Sequence, residues 1–224
     1  RELVELIKKV KPTSVLEVGC GLDQLFTLVQ ECGFIENWIV VEPSDMFIAS
    51  AREQLSNDKR VHFFQGFIED VVEKENLDNF DLCIVSGLLH EVQEPKVILH
   101  AVKQTMGRAG MLHVNVPNAD SMHRRLAVNM GLITSVKEES GRNKSLLQSH
   151  VFNMEDLKEM IGSENLEVVD AGGYFVKPFT HTQMEKVIAV VGSDVLDGLW
   201  TLGQQFPELA SEIYINAKLS EENS

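Results

Sequence analysis

Two short segments near the start of the chain carry residues suited to binding a nucleoside. Gly19 and Gly21 form a glycine turn directly after the apolar run at residues 14–18. Such a turn at the end of a first strand lets a ligand come close to the backbone. Glu17 precedes the turn, where a carboxylate can hold an ammonium group. Gln24 stands where a dinucleotide-binding pattern needs its third glycine, which argues against a nicotinamide enzyme.

An acid after the next apolar run adds a candidate ribose ligand to this set. Residues 38–41 are apolar, and Glu42-Pro43-Ser44 follows them directly. An acid at the end of a second strand is placed to accept hydrogen bonds from both ribose hydroxyls. The alternative is a strand-end acid that faces water. The turn, the acid and their spacing are together more specific than either motif alone.

Candidate general bases and substrate ligands lie later in the chain. His90 follows the fourth apolar run and His150 follows a polar segment, so either histidine can act as a general base. His123 and Arg124 lie in the first turns of a predicted helix and can hold an anionic part of a substrate, and Tyr174 is a further substrate ligand. Each residue has a structural alternative: support of a loop, a solvated basic face, or packing. His and Cys residues show no zinc-binding spacing, so no metal is expected.

The elements that must position these residues alternate between strand and helix. The predicted strands lie at 14–18, 38–42, 61–64, 80–85, 111–116, 166–171 and 212–218. Continuous apolar strands separated by helices indicate a parallel sheet that is covered on both faces. The predicted fold class is therefore α/β: a Rossmann-like, doubly wound, mostly parallel seven-stranded sheet with helices on both faces and a small cap of helices and loops.

Several segments are expected to lie around this sheet. One domain is predicted to span residues 1–224, with cap segments on the substrate side at about 119–160 and 178–206. A helix capped by its first residue is predicted over residues 23–32. The segment 134–149 is polar and rich in helix breakers, which predicts a mobile lid.

Three segments resemble successive signatures of class I S-adenosylmethionine (SAM)-dependent methyltransferases. They read VLEVGCG, VVEPS and FDLCIVSGLLHEV. The later segments VNVPNADSMHRRLAVNMGLI, SHVFNMEDLKEMI, GGYFVKPF and LGQQFPELASEIYI are similar to a bacterial branch of the methyltransferase-domain group. The resemblance covers almost the whole chain and implies SAM as the cofactor.

The resemblance also implies roles for individual residues. It implies methionine contacts for Glu17, Gly19 and Gly21, a ribose contact for Glu42, an adenine edge formed by Pro43 and Ser44, an adenine pocket lined by Phe67 and Ile68, and a floor beneath the methionine formed by Ser86 and Gly87. Many members have an aspartate where Phe67 stands, so apolar packing replaces a hydrogen bond to the adenine. Many also have a Glu-His pair where this chain has His90-Glu91.

The implied activity is transfer of a methyl group from SAM to a small polar acceptor. The residues favour a hydroxyl of a sugar, a phosphosugar or a related metabolite. One alternative is N-methylation of a small amine, for which carboxylates rather than Arg124 would lie near the nucleophile. Another alternative is a non-catalytic SAM-binding regulatory protein.

The composition narrows the class of partner and the compartment. The formal net charge of -14 repels phosphate backbones, so no nucleic-acid partner is expected. No apolar run reaches the roughly 18 residues that span a bilayer, so no membrane partner is expected. The three cysteines lie far apart and suit a reducing compartment, which predicts a cytoplasmic protein. The first residue is Arg1 rather than Met, so we expect a native segment to precede it.

Overall fold

Strands and helices alternate along the chain, as the sequence predicts. The computed structural model describes residues 1–55, 57–138 and 150–220, apart from the side chain of His181. The strands are β1 (Ser14–Val18), β2 (Asn37–Glu42), β3 (Val61–Gln65), β4 (Phe80–Ser86), β5 (Met106–Pro117), β6 (Leu166–Tyr174) and β7 (Glu212–Leu219). The α-helices are α1 (Glu2–Val10), α2 (Asp45–Leu55), α3 (Ile68–Glu75), α4 (Pro95–Thr105), α5 (Met122–Asn129), α6 (Met154–Ser163), α7 (His181–Val191) and α8 (Val195–Gln205).

The seven strands form one sheet with the order β3-β2-β1-β4-β5-β7-β6. All neighbouring pairs are parallel except those of β7, which runs antiparallel to both β5 and β6. The predicted fold class, a doubly wound and mostly parallel seven-stranded sheet, is confirmed. Because β1 pairs with both β2 and β4, the strand order reverses at β1. A crevice forms at such a reversal, at the carboxyl ends of the strands.

Alternate strand residues supply two apolar layers, one on each face of the sheet. Leu16 and Cys83 belong to the layer beneath α3, α4 and α6. Val15 and Ile84, their neighbours in sequence, belong to the layer beneath α1 and α2. Both faces of the parallel strands are therefore buried, which explains why these strands read as unbroken apolar runs.

The helix predicted over residues 23–32 is wrong. The structure has a short 3₁₀ turn at Leu25–Leu28 in its place. Phe26 is buried and packs edge-on against Trp38, with ring centroids 5.3 Å apart. The guanidinium of Arg60 lies over Phe26 and donates hydrogen bonds to the carbonyls of Gln30 and Cys32.

The predicted cap segments contain several of the later helices. The segment 119–160 holds α5 and the start of α6, and the segment 178–206 holds α7 and α8. Residues 139–149, which make up most of the predicted lid, lie outside the described residues. Within the described residues, no helix is long and apolar enough to cross a membrane.

The packing of α8 against the end of β6 requires a glycine. A Cβ atom on Gly203 would come within 2.2 Å of the backbone nitrogen of Phe175 and 2.5 Å of the carbonyl carbon of Tyr174. Gly198 lies on the same helix, and a Cβ atom there would meet nothing within 4 Å. The two glycines therefore form a matched pair for testing this contact.

We expect Gly203→Ala to lower the free energy of unfolding by about 1–3 kcal/mol, because the helix must move away from β6. Gly198→Ala should raise it by about 0.5–1 kcal/mol through helix propensity alone. Urea unfolding followed by circular dichroism measures both values. Equal effects of the two substitutions would show that α8 does not pack on β6 in this way.

Candidate functional site

A cavity of about 730 Å³ opens at the carboxyl ends of β1, β2 and β4. Pockets of this volume suit ligands of nucleoside size. Of the residues predicted to bind the cofactor, the cavity is lined by Gly19, Gly21, Glu42, Pro43, Phe67, Ile68, Ser86 and Gly87. The fold thus brings together residues from four separate segments at the strand-order reversal.

The glycine turn after β1 has the backbone conformation that its sequence predicts. Gly19 and Gly21 have φ angles of 78° and 58°, a region that residues with a side chain rarely adopt. The amide of Gly19 donates to the carbonyl of Val41 at 2.9 Å, which ties the turn to β2. The side-chain amide of Gln24 donates to the carbonyl of Gly21 at 3.2 Å. Gln24 therefore braces the turn at the position where a dinucleotide-binding pattern has glycine.

The carboxylate of Glu42 is held by backbone amides at the end of β2. One oxygen accepts a hydrogen bond from the amide of Cys20 at 3.2 Å, and the other accepts one from the amide of Ser44 at 2.8 Å. Each carboxylate oxygen can accept a further hydrogen bond. Because Glu42 also lines the cavity, its fixed carboxylate can accept two hydroxyl groups of a ligand. Ser44 is not among the described lining residues. Its contribution is the backbone amide that holds the carboxylate of Glu42.

Glu17 lies behind the glycine turn rather than in the described cavity lining. Its carboxylate is buried and accepts a hydrogen bond from the indole nitrogen of Trp38 at 2.8 Å. Burial, with a smaller contribution from the charge of Glu42, raises the pKa of Glu17 to about 7, and the hydrogen bond from Trp38 opposes this shift. The structure does not test the predicted ammonium contact of this residue.

Two exposed apolar side chains, those of Phe67 and Val97, lie at the mouth of the cavity. Phe67 lies just before α3 and is 60% exposed, whereas its neighbour Ile68 is buried. Val97 of α4 also lines the cavity and is 43% exposed. A planar base would cover these apolar surfaces, which favours the packing predicted for Phe67.

The sequence analysis did not identify several lining residues, which lie at the start of α4. Glu94, Val97 and Ile98 lie three and four positions apart, so one face of the helix presents them together. Among the described residues, the cavity lining holds the glutamates Glu42, Glu69, Glu91 and Glu94 and no Lys, Arg or His. The available signal in the sequence was Val97, an apolar residue at helical spacing from the polar Glu94.

The two candidate histidine bases lie beside each other at the rim. The backbone amide of His150 donates to the carbonyl of His90 at 3.3 Å, and the His150 ring nitrogen Nε2 lies 3.1 Å from the carbonyl of Gln93. Burial lowers the pKa of His90, and the charge of Glu91 opposes that shift. Gln93 lines the cavity, whereas neither histidine is part of the described lining.

The predicted substrate ligands are not part of the described cavity lining. His123 and Arg124 lie on α5, and Arg124 is half-buried. Its guanidinium donates hydrogen bonds to the carbonyls of Val136, at 2.7 Å, and Glu138. Burial lowers the pKa of Arg124. Arg124 thus binds the start of the predicted lid through backbone oxygens.

Tyr174, the remaining substrate candidate, lies at the end of β6. Its ring stacks on Trp200 of α8, with centroids 4.7 Å apart, and on Tyr214 of β7, with centroids 6.4 Å apart. Burial raises its pKa. The packing interpretation of Tyr174 agrees with these contacts, and they place its ring on the face of the sheet that α8 covers.

Comparisons with known proteins identify the class of fold. A family model described as a methyltransferase domain matches residues 1–171. A search of curated proteins returns no match. Within the described residues, no group of three or more His, Cys, Asp or Glu is placed to hold a metal ion.

Solved structures resemble the chain over nearly its full length. The plantazolicin methyltransferase BamL, in complex with a triazolic desmethylPZN analog and SAH, has a TM-score of 0.62 and 13% identity over 96% of this chain and 82% of that chain. A SAM-dependent methyltransferase from Mesorhizobium loti has a TM-score of 0.61 and 14% identity over 95% of both chains. The [4+2]-cyclase SpnF has a TM-score of 0.61 and 16% identity over 98% of this chain and 80% of that chain. At these identities the likeness concerns the fold.

Replacing Glu42 should weaken cofactor binding. Loss of a hydrogen bond to a charged group costs roughly 1.5–3 kcal/mol, so Glu42→Ala should raise the dissociation constant of S-adenosylhomocysteine (SAH) about 10- to 100-fold. Glu53→Ala removes an exposed glutamate of α2 and should leave the constant unchanged. Calorimetry that finds the same affinity for wild type and Glu42→Ala would remove Glu42 from the site.

Replacing Glu17 should change how stability depends on pH. Because the folded pKa of about 7 exceeds the ordinary value of 4.5, the folded state loses stability as pH rises through this interval. Glu17→Gln removes that loss and keeps an acceptor for Trp38. The variant should gain about 2–3 kcal/mol relative to wild type between pH 4.5 and pH 8. Thermal unfolding at both pH values tests this, and an equal difference at both would refute it.

Proposed function

Because the chain belongs to the methyltransferase-domain family and is a SAM-dependent methyltransferase, we propose that it methylates a hydroxyl group of a small, uncharged polar metabolite such as a sugar. The carboxylate of Glu42, the open backbone of the glycine turn and the exposed ring of Phe67 are suited to ribose, methionine and adenine. SAM, when bound, supplies an electrophilic methyl group on a sulfonium centre. The protein must then bind the acceptor, orient it and remove its proton.

The charge of the cavity carries the proposal that the acceptor is uncharged. The lining described above holds four glutamates and no Lys, Arg or His. Arg124, which the sequence analysis predicts to bind an anionic part of the substrate, donates hydrogen bonds to two backbone carbonyls instead. Carboxylates repel a phosphate group, and no described cation in the lining offsets that repulsion. Among the acceptors predicted from the sequence, these observations favour a sugar over a phosphosugar.

A small amine is the second candidate acceptor. Carboxylates near the nucleophile are the feature expected of N-methylation, and Glu91 and Glu94 lie on the cavity wall beside Leu88. A protonated amine would be attracted to this wall. It would also have to lose its proton before attack, since only the free amine carries the nucleophilic electron pair.

A paired panel of acceptors tests the proposal. Each sugar or polyol is supplied with SAM beside its own phosphate ester, together with small primary amines, and release of SAH is measured by mass spectrometry. We expect turnover with an uncharged member of a pair and at least about tenfold less with its phosphate ester. Glu42→Ala, in which cofactor binding is expected to be weaker, serves as the low-activity reference. Turnover confined to phosphate esters would refute an uncharged acceptor.

A further inference from the structure

The carboxylate of Glu212 lies beside the carboxyl end of β5. It belongs to β7, a strand that the sequence analysis did not connect with the site. Glu212 is the first residue of β7, and it pairs with Pro117 of β5 and with Tyr174 of β6. Because β7 runs antiparallel to β5, the start of β7 lies at the end of β5. Glu212 therefore belongs to the same edge of the sheet as the cavity.

Strand register connects Glu212 with the cavity in two steps. Ser86 lines the cavity and pairs with Asn115 on the neighbouring strand. Asn115 pairs with Tyr214, and its side chain interacts with the carboxyl of Glu212 and lowers the pKa of that group. Neighbouring strands lie about 4.8 Å apart, so β7 is about two strand spacings from β4, and Glu212 lies two residues along β7 from the level of Ser86.

These side chains project from one face of the sheet. Ile213 and Ile215 of β7 belong to the apolar layer beneath α3, α4 and α6, so Glu212 and Tyr214 point to the opposite face. Tyr214 stacks with Tyr174, which stacks in turn on Trp200 of α8. The carboxylate thus stands beside a group of aromatic rings at the carboxyl end of the sheet.

This region also has buried polar atoms available to a ligand. Oδ1 of Asn115 and Nε1 of Trp200 are buried and have no hydrogen-bond partner among the described residues. Asn115 as a whole is 6% exposed. A buried polar atom without a partner costs about 1–3 kcal/mol, and a bound hydroxyl group can satisfy either an acceptor or a donor of this kind.

The protonation of Glu212 suits proton transfer near neutral pH. Burial raises its pKa to about 7, while the hydrogen bond from Asn115 and the charge of Lys177 oppose the shift. A general base is most effective when its pKa lies near the working pH. A solvent-exposed glutamate would be too weak a base for an alcohol.

We propose that Glu212 is the general base of the methyl transfer and that the acceptor hydroxyl lies over Asn115, between Ser86 and Glu212. The proposal rests on the proposed function, because only an acceptor that starts protonated needs a base. The acceptor oxygen attacks the methyl carbon with a lone pair. The bond from that carbon to sulfur breaks, and its electron pair stays on sulfur, which becomes the neutral thioether of SAH. The acceptor proton passes to a carboxylate oxygen of Glu212.

A cofactor analogue tests the position of Glu212 without an acceptor. Sinefungin carries an amine where SAM carries its sulfonium methyl, and SAH carries nothing there. If the carboxylate of Glu212 faces this position, Glu212→Gln should weaken sinefungin binding about tenfold at pH 8 and change SAH binding less than twofold. Glu208→Gln is the matched control, since Glu208 is exposed and only four positions earlier. Calorimetry measures both dissociation constants.

The outcomes separate this proposal from the proposed function. If neither ligand binds wild type, the proposed function fails. If both bind wild type and Glu212→Gln weakens neither or weakens both equally, Glu212 does not face the methyl position and the proposal is overturned while the function stands. Glu212→Asp withdraws the carboxylate by one methylene group and should give an intermediate loss, which shows that a folding defect is not the cause.

The acceptor found in the panel provides the second measurement. In wild type, kcat/KM should rise with pH through about 7 and then level off, because the base acts when deprotonated. Glu212→Gln should lower kcat by roughly 10²–10⁴-fold with little change in KM and should lose this inflection. His150→Ala is the comparison for the other candidate base. Loss of turnover in His150→Ala with normal turnover in Glu212→Gln would overturn the proposal.

Discussion

The candidate cofactor site depends on one buried carboxylate, that of Glu42. Its two oxygens bind the amide of Cys20 in the turn after β1 and the amide of Ser44 after β2. These bonds fix the ends of two neighbouring strands relative to each other. They also point the remaining acceptor positions of the carboxylate at the cavity. The charge is tolerated at 5% exposure because backbone amides and a polar ligand take the place of water.

The fold could be predicted where local patterns agree with tertiary packing. Each parallel strand is buried on both faces, so its apolar run is visible in the sequence. Asn153 caps α6 through a reciprocal pair of hydrogen bonds with Asp156, which is a local signal of the same kind. The helix predicted over residues 23–32 is absent, and that segment is instead held by contacts with residues distant in the chain: Phe26 packs on Trp38, and Arg60 binds the carbonyls of Gln30 and Cys32. Such a contact leaves no trace in the local pattern.

The part of the candidate site around the glycine turn could also be predicted from local patterns, whereas the part around Glu212 could not. The glycine turn and Glu42 follow their strands directly, so position along the chain decides position in the fold. The pairing of Asn115 with Tyr214, and of Glu212 with Tyr174, depends on β7 entering the sheet between β5 and β6. That insertion brings together segments that are distant in the chain and determines which side chains meet, and composition gives no sign of it.

The candidate cofactor cavity and the proposed general base come from different parts of the chain. The match to the family model ends at residue 171, after the segments that form the cofactor cavity. Tyr174, Trp200 and Glu212 all lie beyond it, on β6, α8 and β7. The shared part binds a methyl donor, whose chemistry is the same for every acceptor. In the proposed mechanism, antiparallel β7 and the helix over β6 supply polar side chains beside it, and a different set of these residues would select a different acceptor. Family membership thus identifies the donor, and the proposed role of Glu212 would make the C-terminal segment contribute to the choice of acceptor.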